Sequence, residues 1–258
     1  MLLAIDAGNT NIVFALHDDD RIIHKWRISS ANSRTADEYM VWLSQLLKFE
    51  NLDASVITGA IIATVVPQTL FPLQLLCRRY FRCEAMVVGD AKVKLDVNVK
   101  LPNPEEVGAD RLVNAVAAQK KYGGPMIIID FGTATTFDVI DDKGDYYGGV
   151  IAPGVNLSVE ALSMAAAKLP RVAVEKPEKV IGNSTISAIQ SGIFYGYLSM
   201  IEGMVARITA EFGGPMKVLA TGGLAPLFSD ASNIIEYVDQ ELTTYGLFEI
   251  YSANIDKK

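Results

Sequence analysis

Hydrophobic residues fall into short runs with two different periods. Leu2-Leu3-Ala4-Ile5, Ile12-Val13-Phe14-Ala15-Leu16 and the stretch from Ile22 to Ile28 are separated by polar turns, Asp6-Ala7-Gly8-Asn9-Thr10-Asn11 and His17-Asp18-Asp19-Asp20. Three such runs predict an antiparallel meander of strands. Residues 36–49 place Tyr39, Leu43, Leu46 and Leu47 on one side of a helix. The run from Gly59 to Val66 is continuously apolar, which suits a strand buried on both faces. A helix over 68–80 and a short strand over 85–88 follow.

The same order then restarts. Met126-Ile127-Ile128-Ile129 leads into Asp130-Phe131-Gly132-Thr133-Ala134-Thr135-Thr136, then a run over 137–140, a turn at Asp141-Asp142-Lys143-Gly144-Asp145, and a third run over 146–151. Asp6 and Gly8 thus recur as Asp130 and Gly132, each time at the end of a strand and ahead of a hairpin. A repeat of this kind decides the fold class. It predicts an α/β protein of two duplicated lobes, residues 1–122 and 123–258, with a cleft between them. Helices are expected over 156–168, 185–212 and 244–255, the last free to pack on either lobe. The long middle helix carries Ile186, Ile189, Ile193, Tyr197, Ile201, Met204 and Ile208 as a stripe. Gly192, Gly196 and Gly203 cost it about 1 kcal/mol each relative to Ala, so close backbone packing is their expected reason. A strand over 217–220 runs into Thr221-Gly222-Gly223.

Composition narrows the function classes. The chain has 258 residues, 50% hydrophobic and 21% charged, enough for one large domain or two lobes. Its 23 Lys+Arg against 30 Asp+Glu give a net charge of −7. Nucleic-acid binding is not expected, because counterion release needs a basic surface. Cys77 and Cys83 form no disulfide framework, and there is no CxxC pair or zinc-ligand spacing. No apolar stretch reaches the roughly 18 residues of a membrane span. The expectation is a soluble protein of a reducing cytoplasm. His17 and His24 read as exposed, and Asp18-Asp19-Asp20 and Asp141-Asp142 as solvated hairpin tips.

Five constellations bear on chemistry. The turn after Asp6 exposes backbone N–H groups and small polar side chains that fit phosphate oxygens, with the carboxylate placed to hold Mg²⁺ through water. A plain β-turn uses the same residues. The matching turn after Asp130 favours the phosphate reading, since two such hairpins can grip a polyphosphate. Ala220-Thr221-Gly222-Gly223 suits either a flat adenosine ring or a tight strand-to-helix turn. Gly108-Ala109-Asp110-Arg111 opens a helix that runs to Lys121. Asp110 is either a favourable first-turn acid or the acceptor of a substrate hydroxyl proton, held ionised by the helix terminus. Arg111 would then bind an anionic group such as a carboxylate. In Gly182-Asn183-Ser184-Thr185, Ser184 or Thr185 reads as an N-cap.

These residues carry a resemblance over nearly the whole chain. Asp6-x-Gly8-Asn9-Thr10-Asn11, Glu106-Val107-Gly108-Ala109-Asp110-Arg111, Asp130-Phe131-Gly132-Thr133-Ala134-Thr135-Thr136, Gly148-Gly149-x-Ile151-x-Pro153-Gly154, Gln190-Ser191-Gly192 and Ala220-Thr221-Gly222-Gly223 together resemble the type III pantothenate kinases. That family sits in the acetate kinase, sugar kinase, Hsp70 and actin superfamily, which implies duplicated actin-like (ribonuclease H-like) lobes with an interlobe nucleotide cleft. The resemblance implies ATP-dependent phosphorylation of pantothenate to 4′-phosphopantothenate, the first step towards coenzyme A. It implies ATP binding by Asp6, Ala7, Gly8, Asn9, Thr10, Asn11, Ile12, Val13 and Thr133. It implies Asp110 as general base, Gly108, Ala109, Asp110, Arg111 and Thr185 as substrate contacts, and Asp130 as ligand of an activating K⁺ or NH₄⁺. Mg²⁺ would accompany ATP, and the protein would be a cytoplasmic homodimer. The family usually has a Tyr seven residues before Gly108, where this chain has Leu101. A lost hydroxyl removes one hydrogen bond, about 1 kcal/mol if it was made. Two other readings share the residues: a kinase of another small hydroxy acid, and a nucleotide-binding regulatory protein without catalysis.

Overall fold

The strands buried along almost their whole length take the middle of two sheets. The computed structural model describes residues 1–30, 34–166 and 168–255. Its strands are β1 (Leu2–Ala7), β2 (Asn11–Asp18), β3 (Arg21–Ser29), β4 (Gly59–Thr64), β5 (Met86–Val87), β6 (Met126–Phe131), β7 (Ala134–Ile140), β8 (Tyr146–Pro153), β9 (Lys217–Gly222) and β10 (Tyr237–Val238). The first sheet has the order β3-β2-β1-β4-β5 and the second β10-β9-β6-β7-β8. Read from β3 and from β8, the two are the same sheet. Each has a central strand, two antiparallel neighbours on one side and two parallel strands on the other. The repeat read from the two Asp-x-Gly turns therefore extends to complete strand order. The edge strands β3 and β8 alternate in burial along their length, as one-sided strands do.

The chain divides into two compact units. One comprises Met1–Asn98, Pro102–Lys120 and Glu241–Lys258; the other Val99–Leu101 and Lys121–Gln240. In the first, α1 (Ala36–Phe49) starts with a capping box, Thr35 with Glu38, and packs Tyr39, Leu43 and Leu47 on the sheet together with α2 (Pro67–Leu76). On the other face lie α3 (Ala109–Tyr122) and the last helix. The second unit holds α4 (Val155–Ala165), α5 (Thr185–Phe212) and the short α6 (Ala225–Ser229) around Ile127, Ile129, Phe137, Phe194 and Phe228. The last helix, α7 (Leu242–Ile255), buries Leu247 and Ile250 against Leu2, Ala4, Ile61, Ala63 and Val113 of the first unit. Gly246 permits this: a Cβ there would lie 2.4 Å from the Val113 carbonyl oxygen.

Several local expectations need correction. His17 is buried, not exposed, because α7 covers β2 and stacks Phe248 on its ring at 5.4 Å between centroids. His24 is half-buried on β3, stacked on Trp26. Asp141 is not a solvated tip. It pairs with Lys100 and accepts the N–H groups of Lys143 and Asp145 at 2.9 and 3.0 Å. Burial opposes its ionisation, but Lys100 and those N–H groups outweigh that and lower its pKa. Gly192 and Gly196 have open space where a Cβ would go, and Gly203 meets only the Arg207 guanidinium. Close packing of this chain's own backbone is not their reason. The helix expected over 68–80 stops being α-helical at Leu76 and continues as one wide π-type turn, Cys77–Phe81, ended by Arg82 in the left-handed region at φ 54°. The helix expected over 156–168 is described to Ala165; residue 167 lies outside the described residues. Among the described residues no helix is long and apolar enough to cross a membrane.

Candidate functional site

The first unit builds one half of the predicted machinery at the carboxyl end of β1. Asp6 is registered with Val13 on β2 and Ala63 on β4. The chain then turns over Gly8–Asn11, closed by the Gly8 N–H donating to the Asn11 carbonyl at 3.0 Å. Ser30 braces the turn from the next strand. Its N–H donates to the Thr10 carbonyl at 2.9 Å and its hydroxyl to the Gly8 carbonyl at 2.5 Å. With those carbonyls engaged inwards, the exposed Asn9 and Thr10 face solvent. Ala7 and Ile12 are fully buried. Of the eight residues of this unit expected to meet ATP, these two can offer only main chain.

The same unit carries Asp110. It stands in the first turn of α3, where its Oδ1 accepts the Arg111 N–H at 2.8 Å. The Gly108 carbonyl accepts the N–H groups of Arg111 and Leu112 at 3.1 and 3.3 Å, which closes the turn. A Cβ on Gly108 would come within 2.6 Å of Asp110 Oδ1 and 3.5 Å of Val65 Cγ1. Val65 in turn donates its N–H to the Ala7 carbonyl at 3.3 Å. Asp110 and Val65 thus flank Gly108, and Val65 is hydrogen-bonded to the residue before the first turn. Burial raises the pKa of Asp110, against the lowering effect of the Arg111 N–H and charge. This corrects the expectation from the helix terminus alone. Desolvation outweighs the macrodipole and makes Asp110 a stronger base than a surface aspartate.

The second unit repeats the turn with one residue fewer. Phe131 pairs with Thr135, so the connection is Gly132-Thr133-Ala134, closed by the Gly132 N–H on the Ala134 carbonyl at 3.0 Å. In the first unit Ala7 pairs with Ile12 around four residues. Asp130 is registered with Thr136 on β7 and Thr221 on β9. Gly222 sits against it at φ 89°, where a Cβ would lie 2.8 Å from Asp130 Oδ1 and 2.6 Å from the Phe131 carbonyl oxygen. Gly154 supports the turn from the other side, with no room for a Cβ beside the Thr133 carbonyl oxygen at 2.1 Å. Thr133 is exposed at the tip.

The Asp130 carboxylate and the Phe131 carbonyl oxygen both lie against Gly222. Among the described residues no group of three or more His, Cys, Asp or Glu side chains could hold a metal ion. Thr185 is the first residue of α5, and Ser184 is its N-cap, accepting the Ser187 N–H. Thr185 lines a cavity of about 420 Å³ with Leu162, Leu169, Ala188, Ile189 and Ile193. Leu101 belongs to the second unit, carried there by a bridge from Val99 to Tyr146. Ser30, Val65 and Gly154 were not singled out individually for these supporting contacts by sequence reasoning. Their roles come from strands and loops remote in sequence.

Comparison with known proteins agrees on one family. The sequence profile described as type III pantothenate kinase matches residues 2–207. A type III pantothenate kinase of Paramagnetospirillum magneticum is 61% identical over 254 residues, 98% of this chain and 98% of that protein. Another, of Rhodospirillum rubrum, is 58% identical over 254 residues, 98% of this chain and 99% of its own length. Among solved structures, the activator of 2-hydroxyisocaproyl-CoA dehydratase from Clostridium difficile, with bound ADPNP, is 13% identical. It aligns at a TM-score of 0.58, covering 99% of this chain and 96% of its own. That likeness concerns the fold.

Proposed function

The chain belongs to the type III pantothenate kinases, and on that premise we propose a division of labour among its residues. The reaction is ATP-dependent phosphorylation of pantothenate, in coenzyme A biosynthesis. Asp110 accepts the proton of the pantothenate hydroxyl as that oxygen attacks the γ-phosphorus, and chiefly orients it, because phosphoryl transfer passes through a loose transition state. Arg111 pairs with the substrate carboxylate. Gly108 and Ala109 leave space over the base, and Thr185 is a further substrate contact. The turn from Asp6 to Val13 and the exposed Thr133 hold the triphosphate through N–H and hydroxyl donors.

Mg²⁺ bound with ATP, held through water by Asp6, supplies charge neutralisation on the phosphate oxygens. Asp130 and the neighbouring Phe131 carbonyl suit K⁺ or NH₄⁺, since both are oxygen ligands and both face the same glycine, Gly222. The enzyme works in the cytoplasm as a homodimer. Leu101 leaves the substrate without the hydrogen bond that a tyrosine there would make.

The observation that supports this reading best is the desolvated Asp110 carboxylate at the start of α3, beside Gly108, in the same unit as the first turn. Its test is ADP release by the purified protein with ATP, Mg²⁺ and pantothenate, in K⁺, NH₄⁺ or Na⁺. Pantothenate-dependent release stimulated by K⁺ or NH₄⁺ is expected. Release that is the same with another hydroxy acid, or ATP binding with no turnover, would overturn the assignment.

A further inference from the structure

Cys77 and Cys83 were set aside as too few for a disulfide framework, yet the fold brings them together. Cys77 opens the wide π-type turn and Arg82 ends it in the left-handed region, reversing the chain. The reversal returns the Cys83 N–H to the Cys77 carbonyl at 3.3 Å. Each thiol shifts the other's pKa, Cys77 lowering that of Cys83 and Cys83 raising that of Cys77. The next residues on each side are paired as well: Arg78 donates from Nε and Nη2 to both carboxylate oxygens of Glu84, at 2.9 and 3.2 Å. Two contacts, main chain and ion pair, hold residues 77–78 against 83–84. A disulfide needs backbones held this near to each other.

The two sulfurs have unequal surroundings. Cys77 is fully buried among Leu73, Leu76 and Phe81, whereas Cys83 is partly exposed. We propose that Cys77 and Cys83 form an oxidisable dithiol, in which Cys83 reacts with a hydroperoxide and Cys77 resolves the product as an intramolecular disulfide.

The steps balance. The Cys83 thiolate attacks one peroxide oxygen; the S–O bond forms, the O–O bond breaks, and the departing oxygen takes a proton to leave as water or an alcohol. Cys83 is then a sulfenic acid. The Cys77 sulfur attacks it; the S–S bond forms, the S–O bond breaks, and the hydroxyl leaves as water with the Cys77 proton. Two thiols are oxidised and one hydroperoxide is reduced. The neighbouring Cys77 thiol supports the first step by lowering the Cys83 pKa, against burial and the Glu84 charge. The Cys83 side chain and burial together raise Cys77, which keeps it protonated until it is needed.

The sequence makes the test direct. Trypsin cuts after Arg78, Arg79 and Arg82 and so separates the two cysteines unless sulfur joins them. The full-length protein is treated with hydrogen peroxide while folded, free thiols are alkylated, and non-reduced tryptic peptides are weighed. The expected product is one linked peptide pair that dithiothreitol separates again. Cys77→Ala should leave Cys83 as a sulfenic acid, trapped by a dione reagent, and slow its loss of free thiol severalfold. Cys83→Ala should leave Cys77 alkylatable only after unfolding. Thermal melting checks that each variant folds; if one does not, the linked pair in the unaltered chain decides. Cys83 driven to sulfinic acid beside an unreacted Cys77 would overturn the proposal. So would two thiols that resist peroxide in the folded protein, or links only between chains.

Discussion

The Oδ1 atom of Asp110 lies over the Cα of Gly108, so close that a Cβ there would meet it at 2.6 Å. A glycine two residues before the carboxylate is thus part of how the carboxylate is aimed. Gly108→Ala should push Asp110 off its position while leaving the rest of the first unit intact. A shift of about 1 Å at a reacting group costs on the order of 10²-fold in rate. We expect kcat for pantothenate to fall by about that factor with little change in KM for ATP. Steady-state kinetics at saturating ATP check this.

Burial raises the pKa of Asp110 above the usual aspartate value of 3.8. A protonated Asp110 cannot accept the hydroxyl proton. The rate should therefore fall on the acid side with a midpoint above 3.8, seen in kcat/KM for pantothenate against pH. Asp110→Asn should remove that limb and lower kcat by roughly 10²–10⁴-fold, the usual span for a lost general base.

The same shift has a sign for stability. The folded state holds the Asp110 proton more tightly than the unfolded state, so its contribution is present at low pH. It is lost as pH rises from the unfolded to the folded pKa. At pH 7 the ionised, desolvated carboxylate is a cost to folding. Asp110→Asn should accordingly melt at a higher temperature than the unaltered chain at pH 7, and lose that advantage at pH 3. Equal melting temperatures at both pH values would contradict the desolvation argument.

His17 predicts the opposite trend. Its pKa is lowered to about 4 by burial, only partly offset by the Glu241 charge, and neither ring nitrogen has a hydrogen-bond partner. The unfolded chain binds the proton more readily, at about 6.5. Stability should be full above pH 6.5 and fall as pH drops towards 4, by on the order of 3 kcal/mol. His17→Phe, which keeps the stack on Phe248, should flatten urea-denaturation stability across that window.

Gly222 holds a left-handed backbone with Asp130 Oδ1 and the Phe131 carbonyl against its Cα. Gly222→Ala would place a methyl among the oxygens assigned to the monovalent cation, at a strain of about 1–3 kcal/mol. We expect lost stimulation by K⁺, with Asp130→Asn giving the same loss without the strain. Rates in matched K⁺ and Na⁺ buffers, beside melting curves, separate the two effects.

Much of this was legible along the chain because its causes are local. Continuous apolar runs mark the central strands, and alternation marks β3. The Asp-x-Gly turn at Asp6 and again at Asp130 announced the duplication, since turns of this kind depend on neighbouring residues. Gly108-Ala109-Asp110-Arg111 could be placed at a helix start for the same reason. The base strength of Asp110, by contrast, was misjudged, because the dipole of its own helix is local and its desolvation is not.

What the linear sequence determined by itself was element type, the twofold repeat and the inventory of reactive groups. Tertiary structure alone decided that α7 returns to the first sheet and buries His17 under Phe248. It also decided that Asp141 is enclosed with Lys100, that Val65 and Ser30 brace the first turn, and that two cysteines meet across a π-type turn. Periodicity and turn chemistry are set within a few residues, whereas burial, and with it pKa and thiol reactivity, is set by which distant surface arrives to exclude water.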